Sequence, residues 1–198
     1  TGGSKGLGRE LCLQLQELNY RVFEFSRSAP HPFSVPLDLE APEQALKALR
    51  ATLTSLDLSA CTELLVFSNA GTLAPIGPAW RKSPKDLLAN LSTNFTSAIL
   101  ILAEVVHHFR DLPCRKVLIN ISSGAAIKGY AGWSLYCAAK AGMESFIRSL
   151  AVEWQYTRTF GQENLVQHSN VGQRITDRDQ TVVGRNDRHA FPAQRRFG

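Results

Sequence analysis

Short apolar runs alternate with helical periodicities through the first 155 residues, and this alternation restricts the fold more than any other feature of the chain. The runs Arg21–Ser28 (RVFEFSRS), Ser34–Leu39, Glu63–Gly71 (ELLVFSNAG) and Val117–Ile119 each have strand length and strand composition. Between them lie helical patterns. Leu7, Leu11, Leu15 and Leu18 make one stripe, and Pro42 opens a second helix carrying Ala45, Leu46, Leu49 and Leu53. Lys85 to Arg110 is a long amphipathic helix with Leu87, Leu91, Phe95, Ala98, Leu102, Val105 and Phe109 at helical spacing. Strands that alternate with helices predict an α/β fold, a doubly wound parallel sheet covered on both faces. Ligands of such sheets bind beyond the carboxyl ends of the strands.

Three stretches fall on that rim. The chain opens TGGSKGLG, with Gly2, Gly6 and Gly8 at the mouth of the first helix, where backbone N–H groups can approach a pyrophosphate. Such a site needs a strand ahead of the loop, and none precedes Thr1. Either the sequence begins one strand late or the glycines form an ordinary turn. Asn69-Ala70-Gly71 ends another strand, and its small residues leave room for a flat adenosine against the backbone. Lys5 in the glycine loop and Arg27 at the end of Arg21–Ser28 place two cations where a dinucleotide's ribose would lie, which favours NADP over NAD if they are not simply solvated surface charges. Glu24 would reach the site only in a different strand register.

The third stretch, NISSGAAIKGYAGWSLYCAAK from Asn120 to Lys140, carries chemistry. Tyr136 and Lys140, four apart, share one helix face. A phenol with an ordinary pKa of about 10 is a poor acid at neutral pH, and an ammonium one turn away favours its ionised form. Ser123, at the end of the preceding strand, can meet the same substrate oxygen. Donor, cation and hydroxyl together predict reduction of a carbonyl or oxidation of an alcohol.

Composition narrows the classes. With 198 residues, 44% of them hydrophobic and 20% charged, the chain can bury a full domain core. No apolar run reaches the roughly 20 residues of a bilayer span, and no signal peptide is visible, so no membrane partner and a cytoplasmic location are expected. Cys12, Cys61, Cys114 and Cys137 follow no metal or disulfide pattern, so free thiols and no metal centre are expected. The net charge of +5 is concentrated in residues 156–198, with seven Arg against four Asp or Glu, and no basic stripe suggests nucleic acid.

TGGSKGLG, SNAG, Asn94, Ser123 and YCAAK, in this order and spacing, resemble the short-chain dehydrogenase/reductases, most closely the sepiapterin reductase and benzil reductase branch. The likeness covers residues 1 to about 155. It implies a Rossmann-like fold and an NADPH-dependent reductase of a ketone, either an aromatic diketone or a pterin-like carbonyl. Tyr136 would donate the proton, Lys140 would tune it and hold the nicotinamide ribose, and Ser123 would orient the carbonyl. Asn94 would hold a water linking Lys140 to solvent. Thr1, Gly2, Gly6, Leu7, Gly8 and the loop Asn69, Ala70, Gly71 would bind the dinucleotide, with Lys5 and Arg27 at its 2′-phosphate and Asp38 at the adenine. Apart from the resemblance, Tyr130, Gly132 and Trp133 near the catalytic helix could flank a flat substrate, though aromatic residues in such a place as often serve packing. The helices around Phe95 and Met143 could pair two subunits as a homodimer.

Two departures accompany the resemblance. The first strand and the C-terminal end of the fold are missing from the sequence, and residues 156–198 form an atypical tail behind a core of residues 1–155. Residues 156–179 show no strand alternation and no Pro-Gly turn, whereas Gln180, Phe191, Arg196 and Phe197 resemble a substrate loop in their spacing. A lesion of the reading frame, later restored, would account for the interval. The alternative function is therefore a catalytically impaired or non-catalytic dinucleotide-binding protein.

Overall fold

The computed structural model describes residues 1–156 and 164–170, with 154–156 and 164–170 described by their backbone. The elements run α1 (Gly6–Glu17), β1 (Glu24–Ser26), β2 (Ser34–Pro36), α2 (Pro42–Thr54), β3 (Glu63–Ser68), α3 (Pro84–Leu91), α4 (Ser97–Phe109), β4 (Arg115–Ser122), α5 (Ser134–Tyr156) and β5 (Asn164–Asn170). All strand pairs are parallel. β1 pairs with β2, and β3, β4 and β5 form a separate sheet in that order, with Glu63 opposite Arg115 and Ser68 opposite Asn120. Alternating helices and parallel strands give the Rossmann-like arrangement that the periodicities predict.

Local chemistry explains the helices. α2 starts on Pro42, whose fixed φ suits the first helical position, and Glu43 lies in the first turn, where the helix dipole favours an anion. Its Ala45, Leu49 and Leu53 recur every fourth residue and are buried against α4, with Ile101, Val105 and Phe109. Ser83 caps α3 by accepting from the Asp86 N–H at 3.2 Å. A second cluster joins Leu102, Leu118, Met143, Ile147 and Leu150, and so ties β4 to α4 and α5. Leu102 and Leu118 are fully buried, each worth roughly 1.5–3 kcal/mol of removed apolar surface. Phe95 packs on this cluster and Met143 belongs to it, so Met143 is a core residue and not part of a free subunit face.

Several expectations change. Arg21–Ser28 contributes only Glu24–Ser26 to a strand, and Ser34–Leu39 only Ser34–Pro36, because among the described residues these two short segments pair with each other and with no further strand. Leu7 and Leu18 of the α1 stripe are exposed, and only Leu11 and Leu15 turn inward. Residues 156–179 do hold a strand. β5 pairs with β4 from Lys116 opposite Asn164 to Ser122 opposite Asn170, because the free edge of β4 offers a ladder of N–H and C=O groups that any extended segment can satisfy. Gln180, Phe191, Arg196 and Phe197 lie outside the described residues. The helical run Pro84–Phe109 is long and apolar enough by length and composition to cross a membrane, which a count of apolar runs does not register. Yet Asn90, Asn94 and Ser97 within it are buried and hydrogen-bonded to the protein.

Between β1 and β3 lies a cleft of about 210 Å³. Leu11 and Leu15 of α1, Phe23 and Phe25 beside and in β1, and Leu64 and Val66 of β3 line it. Its upper end is stitched by the Gly2 N–H to the Phe25 carbonyl at 2.9 Å and the Thr1 amine to the Phe67 carbonyl at 2.8 Å.

Candidate active site

The glycine loop is shaped by close approaches. Gly2 has φ +75, and a Cβ there would stand 2.8 Å from the Ala70 Cα, so the loop lies directly on Asn69-Ala70-Gly71. Asn69 Nδ2 donates to the Gly2 carbonyl at 3.0 Å, and the Ala70 N–H to Thr1 Oγ1 at 3.3 Å. Gly8 is buried under the same loop, where a Cβ would meet the Gly2 carbonyl at 2.2 Å. Gly6, at φ +54, instead faces open space at the first turn of α1. A left-handed glycine with nothing in front of it, at a helix N-terminus, is a cradle that backbone N–H groups can offer to a phosphate. The residues present thus fit a dinucleotide.

Across the rim a second cavity of about 320 Å³ is lined by Leu7, Asn69, Gly71, Thr72, Ser123, Tyr136 and Lys140, among others. Lys140 is only 7% exposed, and its Nζ donates to the Ile121 carbonyl at 2.7 Å, the strand-end carbonyl just before the serines. The same Nζ stands 5.6 Å from the Tyr136 ring centre. Burial lowers the Lys140 pKa from its ordinary 10.5. Between that lowered value and 10.5 the unfolded chain binds the proton more tightly, so this group makes stability rise with pH over that interval. Ser123, in extended conformation, caps the turn Gly124–Ala126 by accepting from the Ala125 N–H at 3.2 Å. β4 delivers Ser123, and α5 delivers Tyr136 and Lys140.

Asn94 lies 4% exposed in a wide π-helical turn, Ser92–Thr96, that interrupts the run between α3 and α4. Its Oδ1 accepts from the Thr72 N–H and its Nδ2 donates to the Thr72 carbonyl, both at 2.8 Å. Asn94 therefore pins the loop behind Gly71. A Cβ at Gly71 would lie 3.2 Å from Asn94 Oδ1 and 3.8 Å from Lys140 Nζ, which sets both groups behind one bare backbone position.

The family model described as short chain dehydrogenase matches residues 1–159. The chain belongs to that family. Within the short-chain dehydrogenases it is similar to benzil reductase ((S)-benzoin forming) of Bacillus subtilis (strain 168), 33% identical over 158 residues, covering 77% of this chain and 65% of that protein. It is also similar to sepiapterin reductase of Bos taurus, 30% identical over 176 residues, covering 77% and 66%. The chain thus spans a little under two thirds of these relatives. A solved short-chain dehydrogenase/reductase from Burkholderia vietnamiensis superposes with TM-score 0.69 at 28% identity, covering 88% of this chain and 82% of that one.

Of the residues singled out from the sequence of this family member, Leu7, Asn69, Gly71, Ser123, Tyr136 and Lys140 share one cavity, and Thr1, Gly2, Gly8 and Ala70 interlock beside it. Lys5 occupies the N-cap position of α1 without a side-chain capping hydrogen bond and is exposed. Arg27 is exposed and pairs with Glu40 at 3.3 Å, and Asp38 accepts from the Glu40 N–H at 3.0 Å in the exposed turn after β2. Among the described residues no hydrogen bond or ion pair joins Arg27 or Asp38 to the glycine loop.

The sequence reading missed four supporting residues. Glu24 is fully buried and reaches the loop after all. Its Oε1 accepts from the Gly3 N–H at 2.9 Å, and its Oε2 from Ser26 Oγ at 3.0 Å and Ser34 Oγ at 2.6 Å. His31 Nε2 lies 3.1 Å from the Gly3 carbonyl. Asn90 donates to the Ala74 carbonyl at 2.7 Å, and Glu144 accepts from Ser122 Oγ, clamping α5 to the end of β4. Only Glu144 left a signal, because Lys140, Glu144 and Arg148 recur every fourth residue on α5. Replacing Glu24 by Ala strands three donors in a buried place and should cost about 2–4 kcal/mol in denaturant unfolding, with weaker dinucleotide affinity by calorimetry. Full retention of both would refute the role given to Glu24.

Proposed function

We propose that the chain is an NADPH-dependent carbonyl reductase acting on an aromatic diketone or a pterin-like ketone. The observation that carries this reading is the convergence of Tyr136, Lys140 and Ser123 on one cavity whose far wall includes Leu7 of the glycine loop. When bound, the nicotinamide cofactor supplies hydride to the carbonyl carbon. Everything else falls to the protein.

Ser123 Oγ, held by its cap at the end of β4, donates to the substrate oxygen and orients it. Tyr136 delivers its phenolic proton to that oxygen as the bond order falls. The Lys140 ammonium, fixed on the Ile121 carbonyl beside the ring, stabilises the negative charge that the departing proton leaves behind. Asn94 keeps the loop behind Gly71 in place, and the second lone pair of its Oδ1 is suited to hold the water through which the proton is replaced.

The preference for NADPH rests on Lys5 and Arg27. The Arg27–Glu40 pair is exposed on both sides, so it contributes only about 0–1 kcal/mol, and exchanging Glu40 for a phosphate costs little. The aromatic substrate class rests on Trp133, whose ring meets Tyr136 edge-on at 6.2 Å, and on half-exposed Tyr130 at 5.0 Å from Trp133. The names of the benzil and sepiapterin reductases to which the chain is similar support the same class.

NADPH consumption with benzil and with sepiapterin tests the assignment. Tyr136→Phe should lower turnover by roughly 10²–10⁴-fold with little change in KM. Unchanged turnover in that variant would refute the mechanism. Replacing Lys5 and Arg27 together by Ala should raise KM for NADPH and leave KM for NADH alone, and equal effects on both would remove the basis for the cofactor preference.

A further inference from the structure

At the end of the sheet remote from the catalytic cavity, two thiols face each other across the start of β3 and β4. Cys61 Sγ and Cys114 Sγ are 3.7 Å apart. Both are free thiols. They stand next to the first rung of the ladder, where Glu63 pairs with Arg115 and the Arg115 N–H donates to the Thr62 carbonyl at 3.1 Å. We propose that Cys61 and Cys114 form a reversible disulfide, a redox clasp that locks the ends of β3 and β4 together.

A disulfide needs its sulfurs at roughly 2.0 Å, so the pair must close by well under the width of one atom. The two sides differ in freedom. Cys114 is 5% exposed and held by its N–H to the Leu112 carbonyl at 2.9 Å, while the buried Lys116 ammonium holds its carbonyl at 3.2 Å. Cys61 lies in the loop before β3, half-buried, and can supply the movement. Burial, and then the Cys61 sulfur beside it, push the Cys114 thiol above its ordinary 9.0, and the Lys116 ammonium opposes them. The order of attack follows from access.

With a small-molecule disulfide such as glutathione disulfide as oxidant, the Cys61 thiolate attacks one sulfur, forms a mixed disulfide and expels one glutathione thiolate. The Cys114 thiolate then attacks the Cys61 sulfur and expels the second. Two protons pass from the cysteines to the two glutathiones, and the two electrons reduce the oxidant. The closed loop joins positions 53 apart and includes Asn69 and Asn94, so oxidation should stiffen the body that carries the site without touching the reacting groups.

The test treats the full chain with glutathione disulfide and maps its cysteines by peptide mass spectrometry, with and without later dithiothreitol. The expected result is a Cys61–Cys114 cross-linked peptide lacking two hydrogens, a thermal midpoint raised by roughly 5 °C or more, and full reversal by dithiothreitol. Cys61→Ser should abolish both the cross-link and the shift, whereas Cys12→Ser should keep them. A glutathione adduct that persists on Cys61 without the cross-link, a link through Cys12 or Cys137 instead, or no reaction would each overturn the proposal.

Discussion

The hydrogen bond from Lys140 to the Ile121 carbonyl is the constraint on which the site depends. A nearly buried ammonium carries a desolvation cost of several kcal/mol, and among the described residues its one hydrogen-bond acceptor is this carbonyl. The bond therefore fixes α5 against the end of β4 at a particular rotation. That rotation puts Tyr136, one turn earlier, over the cavity, and it leaves Ser123 two residues beyond the carbonyl to form the opposite wall. Glu144, one turn later, repeats the clamp on Ser122. Strand end and helix face are locked by these two polar contacts together with an apolar seam formed by Leu118, Met143 and Ile147.

The cofactor side is organised differently. The glycine loop takes its shape from side chains and close backbone approach. Glu24 ties Gly3 to β1 and β2, Asn69 ties Gly2 to the end of β3, and the interlocking of Gly2 with Ala70 excludes any larger residue. The loop contacts both sheets, with the Gly2 N–H on the Phe25 carbonyl of β1 and the Thr1 amine on the Phe67 carbonyl of β3.

What could be read from the sequence followed from short-range rules. The four-residue spacing of Tyr136 and Lys140, the leucines of α2 and the apolar run of β4 each report one face of one element, and each holds. Features set by distant partners were not legible. Glu24 stands between two phenylalanines and looks like an interruption of a strand, because its partners Gly3 and Ser34 are brought to it by tertiary folding. β5 was missed because Asn164–Asn170 has little alternation, and its pairing is recruited by the backbone edge of β4. The α1 stripe overreached at Leu18 because the helix stops at Glu17, and Asn19 turns the chain with φ 63.

Lys140 offers the most direct trial of the whole account. Cofactor carrying deuterium at the transferring position, mixed with protein and benzil in a single turnover, should place one deuterium on the carbinol carbon of the product. Lys140→Met keeps the apolar stem and removes the ammonium, and it should slow that transfer by roughly 10²-fold or more while the circular dichroism of the fold is retained. Equal transfer rates in the two proteins, or a product without deuterium, would contradict it.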